Sequence, residues 1–439
     1  MSDRLVSPLG VSLPDGWQLR PIRELCVKIG SGATPKGGAA VYTTVGTNFI
    51  RSQNVFDHYF SPTGLVCIDD HAAEKLNGVT IHKRDVLLNI TGDGDTIARC
   101  CVVPDEFIPA RVNQHVMILR ASSGLSPEYL QRYLSQSAMR AYMLNHNSGG
   151  SRRALTKAQV GGFQIALPSL KEQESIAAVL GVLDDKIAVN ERITVTADEL
   201  SATYFSSEFQ PALDHVSQGT SLPVGWISST IGDSTVTVET GSRPKGGVAR
   251  FGAGVPSIGA ESIIGLGRFD YSKTKFVPNE FFAGMRRGVL QDKDVLVYKD
   301  GGRPGDFKPH VALFGNGFPF SVMCINEHVY RVRMTSGIGQ EFGYYWLRSA
   351  PLMAEMRRRG TGAAIPGMNS TAFKGIPLII PPPGSIDVFT QKAAPLVDMA
   401  LKAAVESRTL ATLRDTLLPQ LMSGRLRVRD AEKIVEDHV

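Results

Sequence analysis

Leu13-Pro14-Asp15-Gly16-Trp17 returns as Leu222-Pro223-Val224-Gly225-Trp226, which sets Trp17 and Trp226 209 residues apart. Pro35-Lys36-Gly37-Gly38 returns as Pro244-Lys245-Gly246-Gly247, and Asp85-Val86-Leu87 as Asp294-Val295-Leu296, at the same offset. Further on, Asn113-Gln114-His115-Val116 matches Asn326-Glu327-His328-Val329 at an offset of 213, as do Gly149, Gly162 and Pro168 with Gly362, Gly375 and Pro381. Chance does not hold such a register over about 150 residues, and a long-period repeat determines architecture before any local reading does. The chain is therefore a tandem of two related units, each a globular part followed by a helical part.

Each globular part reads as mixed and β-rich. Short apolar runs such as Val86 to Ile90 and Val295 to Tyr298 are bounded by Gly/Asp turn clusters, the pattern of strands joined by tight turns. Leu130, Tyr133, Leu134 and Met139 fall on one side of a helix predicted over Pro127 to Leu144, with its copy around Phe342 to Arg358. Each copy closes on a strand, Phe163 to Leu167 or Ile376 to Ile380, followed by prolines.

The stretches after those prolines change character. From Lys171 to about Phe205 there is no proline, and Gln173 is read with Ile176, Leu180, Leu183 and Ile187, the last four at alternating spacings of four and three, as the helix seam and partner-docking face. From Ser385 to Leu418 the seam is read as Leu396, Met399, Ala403, Leu410, Leu413 and Leu417. Such spacing marks a narrow apolar stripe facing another helix. Some 35 residues make a helix on the order of 50 Å long, which suits two helices packed on each other and holding the globular parts apart. A homodimeric coiled coil is the rival arrangement. The fold class expected is α+β, with boundaries at 1–168, 169–221, 222–381 and 382–424 and a mixed-charge tail at 425–439 that is a candidate for disorder.

Composition narrows the function. The 439 residues carry 47 Lys+Arg against 42 Asp+Glu, a net +5 that hides an uneven distribution. Residues 1–168 hold +4 and 222–381 hold +7, whereas 169–221 hold −6 and 382–439 balance. Two basic globular parts around an acidic spacer suit two contacts with a polyanion. No apolar run reaches the ~18 residues of a membrane span, and the first residues lack the basic-then-apolar order of a secretory leader, so the cytoplasm is expected. The five cysteines form no C-x-x-C and are read as small buried residues.

Lys36 and Lys245 lie in matching Gly/Pro loops where backbone can approach a phosphate and an amine can neutralise it. Arg51, Gln53 and Asn54 in one copy, and Glu261 in the other, offer bidentate base-edge contacts: Arg to guanine, Gln or Asn to adenine, Glu to the cytosine amino group. Arg152 and Arg153 follow a Ser-Gly-Gly-Ser stretch, and Arg243, Lys299, Arg303 and Lys308 take the comparable part in the second copy. For each of these taken alone, a solvated surface role is the competing reading. His115 and His328 occupy equivalent β-like segments and are read as structural. Motifs for nucleotide-driven motors, methyl-donor binding or nuclease metal chemistry are missing from the sequence, and no metal ligands are assigned. The chain is expected to recognise without reacting.

The L-P-x-G-W openings, the G-x-x-P-K loops, the run Leu167-Pro168-Ser169-Leu170-Lys171-Glu172-Gln173-Glu174-Ser175-Ile176 with Leu183-Asp184-Asp185-Lys186-Ile187, and the ending Leu417-Leu418-Pro419-Gln420-Leu421-Met422-Ser423-Gly424 resemble the DNA-specificity subunit of Type I restriction-modification systems. The likeness runs from about residue 13 to 424. It implies two target-recognition domains, each reading half of a bipartite, asymmetric site in double-stranded DNA, and an antiparallel pair of long helices that sets the spacer. It implies as partners two methyltransferase subunits docked along those helices and motor-endonuclease subunits. S-adenosylmethionine, ATP and Mg would belong to those partners, and the chain itself would be non-catalytic, in a bacterial or archaeal cytoplasm, on the nucleoid when bound. A stand-alone or orphan DNA-binding scaffold of the same fold is the alternative. The second copy departs by placing Arg243 at the position of Thr34 and Ile365-Pro366 at that of Arg152-Arg153, as two different half-sites would require. The second helix offers Asp387 and Gln391 in place of the Glu-Gln start.

Overall fold

The computed structural model describes residues 7, 9–92, 96–146, 153–303, 306–360, 366–382 and 384–439. It divides into two compact units, one of residues 1–186 with 410–439 and the other of residues 187–409. Each unit thus takes part of both long helices, a partition that the linear boundaries did not contain.

In the first unit Gln18–Pro21 pairs antiparallel with Gln164–Leu167. A four-stranded antiparallel sheet runs in the order Cys26–Ser31, Val116–Ala121, Val86–Asn89, Cys100–Val102. A second sheet orders Tyr42–Thr43, Val66–Ile68, Thr47–Ile50 and Ala110–Val112, with the last two parallel. The second unit repeats the plan. Ile227–Thr230 pairs with Pro377–Ile380, and the larger sheet runs Thr235–Thr240, Val329–Met334, Asp294–Tyr298, Val311–Phe314. Its smaller sheet orders Lys275–Val277, Val255–Ile258 and Cys324–Ile325, again with a parallel last pair. Val86 to Asn89 and Asp294 to Val297 are buried on both faces, which is why these strands read as continuous apolar runs rather than alternating ones.

The helix expected over Pro127 to Leu144 is two. Helix α1 (Pro127–Ser135) ends at Gln136, in extended backbone at ψ 136°, before a second piece at Ser137–Asn145. Its copy breaks at the equivalent Ser349, ψ 150°, between Gln340–Arg348 and Ala350–Arg359, where Pro351 opens the second piece.

Helix α2 (Leu170–Gln218) runs past the expected Phe205 and kinks at Phe209 (φ −111°, ψ 17°), two residues before Pro211. Proline lacks the N–H for the ladder and crowds the preceding turn, so the axis breaks there rather than earlier. Phe205 and Phe209 are drawn into the core of the second unit, where Phe205 meets Phe342 at 5.4 Å and Phe389 at 5.5 Å edge-on. Helix α3 (Ser385–Met422) lies antiparallel to α2 within each unit. In the second unit Asn190 donates to Glu406 at 2.7 Å and Thr194 to the Ala400 carbonyl at 3.3 Å, so rising numbers on one helix meet falling numbers on the other.

The seam differs from its reading on α3. Met399 is half exposed, and Leu396 and Leu413 are only partly covered, as is Ile187 on α2. Up to Ala404 the buried stripe is Phe389, Ala393, Val397, Ala400 and Ala404, one residue out of phase with Leu396 and Met399, while Ala403 is buried as read. Alanine allows the close approach that lets Thr194 reach a main-chain oxygen, whereas larger residues would hold the helices apart. Ile176, Leu180, Leu183, Leu410 and Leu417 are buried as read.

The tail needs correction too. Helix α4 (Val428–Glu436) buries Ala431 and Val435, so residues 425–439 are ordered by an amphipathic face. Among the described residues no helix is long and apolar enough to cross a membrane.

Candidate nucleic-acid interface

The G-x-x-P-K loops begin where backbone packs on backbone. A Cβ on Gly32 would fall 2.1 Å from the Val112 carbonyl oxygen, and one on the equivalent Gly241 1.6 Å from that of Ile325. Only glycine permits the loop to leave its strand so closely. Lys36 and Lys245 project into solvent from the two loops.

Behind each loop lies the same chain of side chains. In the first unit the Thr34 hydroxyl donates to Gln114 Oε1, the Gln114 amide stands 3.3 Å from His115 Nε2, and His115 Nδ1 meets Thr91 Oγ1 at 2.6 Å. In the second unit Arg243 Nε pairs with Glu327 Oε1 at 2.6 Å, His328 Nε2 stands 3.4 Å from that oxygen, and His328 Nδ1 meets Asp300 Oδ1 at 2.5 Å. The Lys299 ammonium closes this second chain on Asp300 and lies 5.8 Å from the Tyr330 ring centroid. One geometry is thus built twice around a shared histidine, with Thr and Gln beside it in one copy and Arg, Glu and Asp in the other. Main-chain bonds keep the register, from Asn89 to Arg99 at 2.9 Å and from Tyr298 to His310 at 2.9 Å.

Short 3-10 turns carry the next positions. Ser52–Asn54 and Ala260–Ser262 follow matching strands, each closed by a main-chain bond back to Arg51 or Gly259. Here Asn54 is corrected. Its side chain is fully buried, accepts from the Arg51 N–H at 3.0 Å and donates to the Ser61 and Thr63 carbonyls at 3.0 and 3.2 Å. It holds the turn and has no edge to offer a base. Arg51 donates to the Gly64 carbonyl at 2.6 Å, with its guanidinium 5.2 Å from the Tyr42 ring centroid. Gln53 is exposed, and its amide nitrogen lies 3.4 Å from the Gly64 oxygen.

Glu261 forms an ion pair with Lys275. Burial works against the Glu261 carboxylate, but the Lys275 ammonium outweighs it and leaves the pKa below the ordinary value. Beside it a hollow of about 580 Å³ is lined by Glu261, Tyr298, Asp300, His310 and His328. Burial lowers the His310 pKa and, with Asp300 and Glu261, raises that of Tyr298. Lys308 is exposed. Arg152 lies outside the described residues. Arg153 and Arg303 are described in backbone only, in the strand pairs Arg153–Ala154 with Thr91–Gly92 and Gly302–Arg303 with Asp306–Phe307.

Gln173 is corrected as well. It is 1% exposed, accepts from the Ser126 N–H at 2.9 Å and donates to the Pro168 and Gly124 carbonyls at 3.0 and 3.2 Å. It fastens α2 to the start of α1 and presents nothing to a partner.

Sequence reasoning missed Thr91, Arg99, Tyr298, Asp300, Glu327 and His310; the offset of 209 pairs Thr91 with Asp300 and that of 213 pairs Gln114 with Glu327, whereas Arg99 and His310, 211 apart, are matched only by their equivalent main-chain bonds. It also missed the exposed Arg286 and Arg287, which precede Gly288, a residue packed directly against Gly241. Among the described residues no three His, Cys, Asp or Glu side chains converge to hold a metal.

Residues 14–197 match the family model described as "Type I restriction modification DNA specificity domain". These residues form a Type I DNA specificity domain. The match covers the first globular part and the beginning of α2; residues 222–381 repeat the specificity domain's strand order. The chain is 21% identical over 430 residues to the Type I restriction enzyme MjaIX specificity subunit of Methanocaldococcus jannaschii, covering 95% of each. It is 22% identical to the HindI specificity subunit of Haemophilus influenzae, covering 86% of this chain and 94% of that one. A solved S subunit of a Type I restriction-modification system from M. genitalium shares the fold, with a TM-score of 0.52 at 14% identity over 95% of this chain and 99% of that one.

Proposed function

We propose that this chain is the non-catalytic DNA-specificity subunit of a Type I restriction-modification complex, with residues 1–168 and 222–381 each reading one half of a bipartite site. The observation that carries this reading is the doubled side-chain chain: the same backbone presents Thr34, Gln53, Thr91 and Arg99 in one copy and Arg243, Glu261, Asp300 and His310 in the other. A scaffold conserved in shape and divergent in hydrogen-bonding chemistry is what reading two different half-sites requires.

Lys36, Lys245, Arg286 and Arg287 supply the phosphate contacts that set register without reading sequence. Gln53 and Glu261 face the base edges, and Arg51, Lys299, Arg303, Lys308, Arg152 and Arg153 complete the basic rim. The paired helices α2 and α3 set the spacer. Their exposed apolar side chains, Val182 in the first unit and Leu200, Tyr204 and Met399 in the second, suit docking by two methyltransferase subunits. Those subunits supply S-adenosylmethionine chemistry, and motor-endonuclease subunits supply ATP-driven cleavage with Mg. Such a complex works in the cytoplasm, on the nucleoid.

Genome-wide methylation mapping in cells with and without this chain tests the reading. A split motif that disappears with the chain supports it; an unchanged pattern refutes it. Inserting one heptad into each long helix, after Lys186 and after Thr409, preserves the seam and adds about 10 Å, which should lengthen the unread spacer by about three base pairs.

A further inference from the structure

The hollow of the second unit is lined by two carboxylates, Glu261 and Asp300, with Tyr298, His310 and His328 and the apolar Ala260, Ile263 and Ile264. Both carboxylates already have cationic partners, Lys275 for Glu261 and Lys299 for Asp300. A carboxylate oxygen carries more than one lone-pair site, so each retains capacity to accept again. Burial lowers the His310 pKa. That ring, stacked at 5.9 Å on Tyr298, adds a flat wall rather than a positive charge at neutral pH.

This chemistry rejects two of the groups that DNA presents. A phosphate would face two carboxylates with no arginine among the lining residues. The guanine edge, with its O6 and N7 acceptors, would face the Glu261 and Asp300 carboxylates and lose its bonds to water there without replacement. What fits is a donor: the exocyclic amino group that adenine carries at N6 and cytosine at N4 in the major groove. The first unit is the internal contrast. At the positions of Asp300 and His310 it has Thr91 and Arg99, with the Arg99 guanidinium 4.8 Å from the Phe56 ring centroid, a donor-bearing wall of opposite sense.

Resting on the specificity-subunit reading above, we propose that the hollow lined by Glu261, Tyr298, Asp300, His310 and His328 takes one exocyclic amino group of the second half-site. Glu261 and Asp300 are its acceptors, and His328 is the positioning residue that holds Asp300. The Arg243–Glu327–His328–Asp300 chain also ties this acceptor to the loop that carries Lys245. Base reading in the hollow and phosphate contact at the loop are therefore coupled through one set of side chains.

The test uses the full chain, co-purified with its methyltransferase subunits, and duplexes that carry the mapped site. At each position of the second half-site, adenine is replaced by purine or cytosine by 2-pyrimidinone, which deletes the amino group alone. Wild-type binding should fall roughly ten-fold or more at one position. A loss at an adenine and a loss at a cytosine both support the proposal and tell the two bases apart. Glu261→Gln and Asp300→Asn proteins should lose that sensitivity while their discrimination across the first half-site is retained, which also shows that they are folded. Sensitivity unchanged in both variants, or no sensitive position in the second half-site, overturns the proposal and leaves the specificity-subunit reading intact. Absence of any split sequence preference in the wild-type complex overturns that reading itself.

Discussion

Asp184 Oδ1 accepts from Arg414 Nη1 at 2.9 Å, which joins α2 to α3 inside the first unit, while its other oxygen takes the guanidinium of Arg132 from α1. None of the three side chains is more than 16% exposed. Burial and the neighbouring Arg414 push the Arg132 pKa down to about 10, so the shared carboxylate is what makes two adjacent guanidiniums tolerable. Asp184→Ala leaves Arg132 without its carboxylate partner and Arg414 with Asp415 alone, and should cost about 3 kcal/mol. Denaturant unfolding of the full chain measures this; a loss under 1 kcal/mol would assign the clamp to apolar packing alone.

His58 lies in the same cluster, with Nδ1 3.2 Å from Arg132 Nη1 and 3.5 Å from Gln131 Nε2. Burial, then Arg414 and Arg132, holds its pKa well below 6.5. The unfolded chain binds this proton more tightly than the folded one, so stability should fall as pH drops below about 6.5 and stop falling once the folded pKa is passed. His58 sits at φ 72°, a conformation asparagine tolerates, so His58→Asn is the appropriate control. Thermal unfolding from pH 7.5 to 5 should show a shallower decline in the variant; equal slopes would exclude this histidine as the cause.

Asn54 and Gln53 are neighbours with opposite expected effects. Asn54→Ala leaves the Arg51 N–H and the Ser61 and Thr63 carbonyls without their partner and should destabilise the first unit by about 1–3 kcal/mol. Gln53→Ala should leave the melting temperature unchanged and alter base preference in the first half-site only. Unfolding curves combined with selection from a randomised duplex library separate the two; equal destabilisation by both would contradict the assignment.

Lys36→Ala and Lys245→Ala should each weaken binding to matched and mismatched duplexes alike and reduce the slope of log K against log salt by about one. Titrations between 50 and 200 mM salt report this, and a changed sequence preference with an unchanged slope would move these lysines from phosphate to base contact.

The repeat was legible because it lies in residue identities. Trp17 with Trp226, Asp85-Val86-Leu87 with Asp294-Val295-Leu296, and His115 with His328 hold register, and their strands pair in the same order in both units. The buried strands and the α2 seam up to Leu183 followed from periodicity. Periodicity did not find the break at Gln136, since apolar spacing continues across a single extended residue. Around Leu396 and Met399 it also assigned α3 a phase one residue away from the buried Val397 and Ala400, because small alanines allow close packing that an apolar count does not weigh.

Side-chain commitment was not legible in the same way. Arg51, Gln53 and Asn54 look alike as polar residues of one turn, yet the fold buries Asn54, turns Arg51 onto Gly64 and leaves Gln53 exposed. Gln173 reads as a helix-surface residue and is spent on three main-chain partners. The chains from Thr34 to Thr91 and from Arg243 to Asp300 join residues far apart in sequence. The sequence by itself determined that the protein is two copies of one plan with unlike polar residues at matching positions, because repetition and hydrophobic period are properties of order along the chain. Which of those polar residues face outward was decided only by the tertiary structure, because a buried main-chain group takes the nearest side chain able to satisfy it, and nearness there is set by the fold.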